Sequence, residues 1–486
     1  MNKPLRRIAI FCGLLVLALL VRDNWIQYVQ ADELKNNKHN HRVLMARYSQ
    51  KRGNIIVDGQ PITGSVATNG TDFKYKRTYK NGKMWAPVTG YASQAYDANQ
   101  IEKLEDPFLT GNDDRLFFNR TIDMITGKKQ RGGDVITTLN GKAQKAAYEG
   151  LGNKKGAVAA LDPRTGKILA LASTPSYDPS TIAGADDAKE WKALQPKDNK
   201  DDPMLNRALR QTYPPGSTFK VVTAAAALEN GKYTDINAPT KSPLPWRLPL
   251  STKNLDNEGN IPCENATLRQ ALRYSCNTVF GKLGDDLGKD KMREQAEKFG
   301  FGKEFLTPVR ANASVYPEDM DRPSNAMSAI GQYDTRATPI QMAMVAAAIA
   351  NDGKLMKPYM IDSLRAPNLS TIEQNKPEEM SQAVSPENAR KLQDMMKTVV
   401  DEGTGTKAQI PNVEVGGKTG TAQHGVANSK NPYAWFISYA KGEDGSPVAV
   451  AVVIEGSDTI RNDIAGGRLA APIAKDVMKA VLDSEK

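Results

Sequence analysis

The chain has 486 residues, 25% of them charged and 40% hydrophobic, enough apolar material for two or three domains with proper cores. Its net charge of +10 comes without an aromatic-interleaved basic stripe or any nucleic-acid motif, so a cell-wall or anionic membrane surface suits it better than a nucleic acid. The three histidines, His39, His41 and His424, are scattered and no Cys-x-x-Cys occurs, which leaves no metal-ligand pattern.

The first predicted element is a membrane anchor. Lys3, Arg6 and Arg7 precede an apolar run from Ile8 to Val21, which Arg22 and Asp23 close. Those fourteen residues cover about 21 Å as helix against a hydrocarbon core of about 30 Å, so a span needs Arg7 and Arg22 to snorkel and Trp25, Ile26 and Tyr28 to sit at the interface. The alternative is a cleaved signal peptide with Val29-Gln30-Ala31 at the cleavage site. Both readings put the bulk of the chain outside the cytoplasm. Residues 32–149 then read as polar, glycine-studded and strand-like, with Phe73 to Gly82 patterned as a hairpin. Residues 150–486 read as one α/β unit.

Within that unit Pro214-Pro215-Gly216 halts the preceding segment, and Phe219 to Leu228 is apolar nearly all round, the pattern of a buried central helix. Ser217 opens that helix in this reading, and Lys220 shares its face, near enough for the amine to reach the hydroxyl. A lysine in a buried helix is costly when charged and unpaired. Desolvation and a second nearby lysine lower its pKa and make a neutral amine available as a general base, with Lys418 a candidate for that second charge. The competing reading is a solvated or salt-bridged lysine.

Cys263 and Cys276 form an even pair in the exported part, apart from Cys12 in the anchor. Either they form a bridge that clamps the segment around Cys276, or they are two buried free thiols. Ser275-Cys276-Asn277 lies between two helical stretches, Thr267 to Tyr274 and Thr278 to Leu287, where a helix-capping role is the simplest explanation. Val413 to Ala422 reads as a strand with small residues around Lys418-Thr419-Gly420-Thr421. Gly420 lets another backbone lie close, as in strand addition by a peptide, and Lys418 with the Thr419 and Thr421 hydroxyls suits a carboxylate.

Each short motif recurs by chance: Ser438 and Lys441 repeat the first spacing, and Ser429 and Asn431 the second. Ser438 follows Ala434-Trp435-Phe436-Ile437 in a strand-like run, where a separation of three puts its side chain and that of Lys441 on opposite faces.

Ser217-Thr218-Phe219-Lys220, Ser275-Cys276-Asn277 and Lys418-Thr419-Gly420-Thr421, in that order, resemble the active-site elements of the penicillin-binding protein and serine β-lactamase superfamily. Further landmarks match: Gly156 to Ser173 as an opening hairpin, Pro175-Ser176-Tyr177-Asp178-Pro179, Asn206-Arg207-Ala208, Ile330-Gly331-Gln332, Thr338 to Ala343 and Glu402-Gly403-Thr404-Gly405-Thr406. Arg52 to Gly59 is similar to the first motif of the class B members, and the nearest resemblance is to the actinobacterial penicillin-binding protein A group.

The resemblance implies a transpeptidase fold, an antiparallel sheet of about five strands with helices on both sides and a helical lobe around Ser275, at 150–486. It also implies a non-catalytic pedestal at 32–149, a retained anchor at 8–28 and a cytoplasmic stub at 1–7, placing the protein in the cell membrane with its catalytic domain outside. By the same resemblance Ser217 is the nucleophile that attacks D-Ala-D-Ala in peptidoglycan stem peptides, and Lys220 its base. Ser275 relays the proton to the leaving amine and Asn277 orients the substrate amide. Lys418, Thr419 and Thr421 bind the carboxylate along the Gly420 strand, and the N–H groups of Ser217 and Thr421 hold the oxyanion. β-Lactams are implied as inhibitors, a glycosyltransferase and division or elongation proteins as partners, and no cofactor, metal or nucleic acid. A β-lactamase would need a Glu-x-x-Leu-Asn segment, which is absent between the second and third motifs. A β-lactam sensor would need a larger cytoplasmic part, and a catalytically weak division scaffold is the remaining alternative.

Overall fold

The computed structural model describes residues 2–35, 41–69, 72–127, 131–195, 201–425, 428–456, 461 and 464–485. Helix α1 (Asn2–Tyr28) is longer than its strict apolar run. Residues Lys3–Tyr28 have a mean hydropathy of 2.1 in their most apolar window, none of which is buried, so α1 is long and apolar enough to be a candidate membrane span.

The central layer of the second region is a five-stranded antiparallel sheet. Strands β1 (Gly156–Leu161), β2 (Ile168–Thr174), β3 (Val415–Ala422), β4 (Tyr433–Gly442) and β5 (Gly445–Ile454) lie in the order β3-β4-β5-β1-β2. Antiparallel strands usually alternate apolar and polar residues because one face meets water. Here both faces are covered, so the central strands β1 and β5 are apolar over most of their length. Val448, Val450, Val452 and Ile454 of β5 face α2 (Gly141–Leu151) and the C-terminal helix Ala471–Glu485, while Ala449, Ala451 and Val453 face the larger core. That larger core contains α3 (Lys220–Glu229), buried from Lys220 to Leu228, and Pro339–Ala350, buried from Pro339 to Ile349. Because Ala143, Ala147 and Leu151 of α2 are buried against the sheet, the division expected at 149/150 falls inside a helix packed on that layer.

The pedestal carries more helix than its sequence suggested, including Gly82–Thr89 and Phe117–Thr126. The Phe73 to Gly82 segment is not a hairpin in itself: Tyr75–Tyr79 pairs with the earlier strand Thr63–Ala67, and Asn81 turns the chain into the next helix with φ 51°. The motif Arg52-Gly53 holds the pedestal together. The buried Glu102 carboxylate accepts from Arg77 Nε at 2.6 Å and from Arg52 Nη2 at 2.9 Å, and Arg77 Nη1 donates to the Gly53 carbonyl at 2.7 Å. A Cβ on Gly53 would stand 1.8 Å from the Gly133 oxygen, so only glycine fits there. A second sheet joins the two regions: Ile361–Arg365 and Thr371–Gln374, from the second half of the chain, extend the pedestal strands Asp134–Thr137 and Ile55–Val57. A linear division of the sequence hides this exchange.

Candidate active site

The turn that carries Ser217 is set by backbone packing. Ser217 does not open the α-helix as expected; it lies in a 3₁₀ turn, Gly216–Phe219, and α3 begins at Lys220. Two close approaches hold this turn. Gly216 N–H donates to the Gly331 carbonyl at 2.9 Å, and a Cβ on Gly331 would meet the Gly216 oxygen at 2.1 Å. On the other side a Cβ on Gly420 would meet Thr218 Cγ2 at 2.9 Å and the Pro215 oxygen at 3.1 Å, and Trp435 Nε1 donates to the Pro214 carbonyl at 3.0 Å. The backbone that Gly420 admits is therefore the Pro215–Thr218 turn, where the sequence reading expected a bound peptide. A Cβ on Gly216 would in turn lie 2.8 Å from the Thr421 oxygen, so the Ser217 turn and the end of β3 are in contact. Ser217 is half-buried while its neighbours Thr218 and Phe219 are buried.

The second element is a turn between two helices. Leu268–Tyr274 begins on a capping box formed by Thr267 and Gln270 and ends at Ser275, which takes the left-handed conformation (φ 63°, ψ 43°) that glycine usually supplies at a helix end. Asn277–Leu287 starts two residues later with Cys276 as its N-cap. Ser275 is thus a helix cap by backbone only, and its hydroxyl points elsewhere. Cys263 and Cys276, both fully buried, are joined in a disulfide with Cα atoms 5.7 Å apart. Closing so short a loop contributes on the order of 3 kcal/mol in the chain-entropy picture and anchors the residue between Ser275 and Asn277. Alkylation of the denatured, unreduced protein is expected to leave both thiols unmodified, and reduction to expose both and slow acylation. Labelling of both without reductant would show that the bridge does not form.

Two buried amines converge on this turn. Lys220 Nζ donates to the Ser275 carbonyl at 2.7 Å, to Ser275 Oγ at 3.1 Å and to Asn277 Oδ1 at 2.6 Å. Lys418 Nζ donates to Ser275 Oγ at 2.9 Å and to the Thr419 carbonyl at 2.8 Å. One hydroxyl therefore bridges two lysines, both fully buried. Among the described residues, Ser217 is not a hydrogen-bond partner of Lys220, whose amine is held on the Ser275–Asn277 side. Desolvation pushes Lys220 well below the usual lysine range and the like charge of Lys418 adds to it; desolvation also brings Lys418 down to about 7.

Alternation along β3 separates the remaining residues. Lys418 is drawn into the lysine cluster, while Thr419 and Thr421 belong to the opposite parity. The Thr419 hydroxyl shares a hydrogen bond of 2.6 Å with Thr404, which gives the Glu402 to Thr406 motif its place behind the strand. Thr421 is half-buried. Among the described residues β3 is an edge strand, paired with β4 on one side, for example Thr421 with Ala434, and with no strand on the other. Asn277, expected to orient a substrate amide, has both ends of its side chain engaged: Oδ1 accepts from Lys220 and Nδ2 donates to the Asp256 carbonyl at 2.8 Å. The decoy pair diverges, with Ser438 fully buried and Lys441 paired to Glu414 at 2.6 Å. Sequence reasoning missed Gly331 and the loop around Asp256. The first was visible only as a family landmark, and the second gave no signal.

Residues 156–479 match the model of the penicillin-binding protein transpeptidase domain, and residues 52–135 that of the penicillin-binding protein A dimerisation domain. The chain belongs to the penicillin-binding protein transpeptidase family. Among its relatives is the peptidoglycan D,D-transpeptidase PbpA of Mycolicibacterium smegmatis, 42% identical over 99% of both chains; PbpA of Mycobacterium tuberculosis is also 42% identical, over the full length of both. The family likeness extends to three dimensions. The ceftriaxone acyl-enzyme of M. tuberculosis penicillin-binding protein A superposes with a TM-score of 0.85, at 41% identity, over 90% of this chain and all of that one. The penicillin G acyl-enzyme of the same protein gives 0.83 at 41% identity, over 89% of this chain and all of that one.

Proposed function

We propose that the protein is a peptidoglycan D,D-transpeptidase. The observation that carries this reading is the convergence of two buried lysine amines on Ser275 Oγ, with the half-buried Ser217 one helical turn before Lys220. A polar cluster so costly to bury has a use as proton-transfer machinery and little as packing. In the proposed reaction Ser217 Oγ attacks the carbonyl of a D-Ala-D-Ala stem peptide and its proton passes to Lys220. Ser275, bonded to both amines, relays a proton to the leaving D-alanine. The N–H groups of Ser217 and Thr421 hold the oxyanion, a device worth about 3–4 kcal/mol per donor. Thr419 and Thr421 receive the terminal carboxylate on β3, with Lys418 behind them in the charged form that a carboxylate favours. Asn277 holds Lys220 in register and meets the substrate amide through rearrangement of its contact to Asp256. An amine of a neighbouring stem then displaces Ser217. β-Lactams acylate the same serine and stay because their leaving group remains tethered. No cofactor takes part.

In this reading α1 anchors the protein in the membrane, with the pedestal and the transpeptidase domain, which begins with α2 (Gly141–Leu151), on the outer side. A glycosyltransferase and division or elongation proteins supply the glycan strands and the location. Incubation with a D-Ala-D-Ala stem peptide and an amine acceptor is expected to release D-alanine and form a cross-linked product. Penicillin acylation without D-alanine release would identify a β-lactam-binding scaffold instead.

The lysine pair gives the acylation rate a definite acid limb. A general base works in its neutral form, so acylation rises as pH increases and Lys220 loses its proton. Because the Lys418 charge lowers Lys220, Lys418→Ala lifts Lys220 and moves the limb to higher pH. A pH–rate profile of penicillin acylation for that variant reads the shift directly; a limb that stays or moves down contradicts the coupling.

A further inference from the structure

The loop between Asn254 and Cys263 touches the machinery above only through the Asp256 carbonyl, yet it is fastened to it at both ends. At its start the Asp256 carbonyl accepts from Asn277 Nδ2 at 2.8 Å, and the Asn257 side chain accepts from the Thr278 N–H at 3.1 Å and reaches the Thr278 hydroxyl at 3.3 Å. At its finish Cys263 is bonded to Cys276. A surface loop tied three ways to the Cys276–Thr278 segment forms a wall beside the turn that carries Ser275. Glu258 stands directly after the tied residues, and its side chain is exposed and free to meet a ligand. Its carboxylate favours the charged form of both Lys220 and Lys418, so its field reaches the reacting groups.

The chemistry of the second half-reaction gives this carboxylate a use. The donor half needs cations, because a stem peptide ends in a carboxylate. The acceptor half brings an alkylamine that is an ammonium at neutral pH, and the two lysines repel it. We infer that the wall carrying Glu258 is the acceptor subsite, and that Glu258 binds the ammonium group of the incoming amine. The inference deepens the transpeptidase reading and rests on it. The proton balance closes. The bound ammonium gives one proton to a neutral lysine amine, and its nitrogen attacks the Ser217 ester. As the C–N bond forms and the C–Oγ bond breaks, a second proton passes from that nitrogen to Ser217 Oγ. A cation at Glu258 also adds positive charge beside the lysine pair, which favours the neutral lysine that the step consumes.

The test uses the full-length protein in detergent with an acyl-D-alanyl thioester donor and two acceptors: Nα-acetyl-lysine amide, whose side chain is an ammonium, and hydroxylamine, which is uncharged at neutral pH. Glu258→Gln is expected to raise the half-saturating concentration of the lysine acceptor about fivefold, and that of hydroxylamine by less than about twofold, the scale of one exposed ion pair. Glu258→Asp is expected to recover part of the loss. Equal changes for both acceptors, or none for the lysine acceptor, would overturn the subsite. A wild-type protein that neither turns over the thioester nor takes penicillin would overturn the transpeptidase reading instead.

Discussion

Lys220→Arg is expected to lose acylation by penicillin by about 10²–10⁴-fold, although the charge and much of the length of the side chain are kept. The reason is chemical. A guanidinium stays protonated at every accessible pH and cannot accept a proton from Ser217. Sterically the substitution is also severe, because the Lys220 amine occupies a site with three acceptors within 3.1 Å that matches the three donors of an ammonium and not a planar fork. Unfolding measured alongside separates the two effects: loss of acylation in a folded variant assigns the proton transfer to Lys220, and retained acylation removes it from that role.

Ser217→Ala is expected to abolish the adduct, with a loss on the order of 10⁴-fold or more, since removal of a catalytic serine costs at least that in enzymes of this kind. The fold tolerates the change. Ser217 is half-buried, and the turn that carries it is held by the Gly216 to Gly331 hydrogen bond and by the packing of Thr218 on Gly420. Binding of penicillin before acylation is expected to survive, because the hydroxyls of β3 are untouched. Acylation of the variant at a normal rate would require another nucleophile.

The catalytic layer was legible because its residues answer to short-range rules. The Gly156 to Ser173 hairpin implied by the family resemblance became the paired strands β1 and β2, and the segment from Phe219 to Leu228, apolar nearly all round, became a buried helix from Lys220. The parity argument that disqualified Ser438 and Lys441 matches β4, where one is buried and the other is paired at the surface. The features that escaped depend on contacts far apart in sequence. Nothing local says that 361–374 completes a sheet begun at 55–57, that Gly420 faces Pro215, or that the Ser275 hydroxyl is shared by Lys220 and Lys418. The hairpin expected at Phe73 to Gly82 failed for a similar reason, since Thr63–Ala67 was the available partner and Asn81, a residue tolerant of positive φ, served to start a helix. Glu258 carried no signal, as a single carboxylate in a polar loop reads as solvation until its neighbours are tied to the active site.

The identity of the nucleophile is tested most directly by digesting the wild-type protein after exposure to a labelled penicillin and mapping the label by mass spectrometry. One acyl group per chain, on the peptide that contains Ser217, is the expected result. An adduct on Ser438, or label spread over several serines at substoichiometric levels, would contradict the assignment of Ser217 and with it the role of the two lysines.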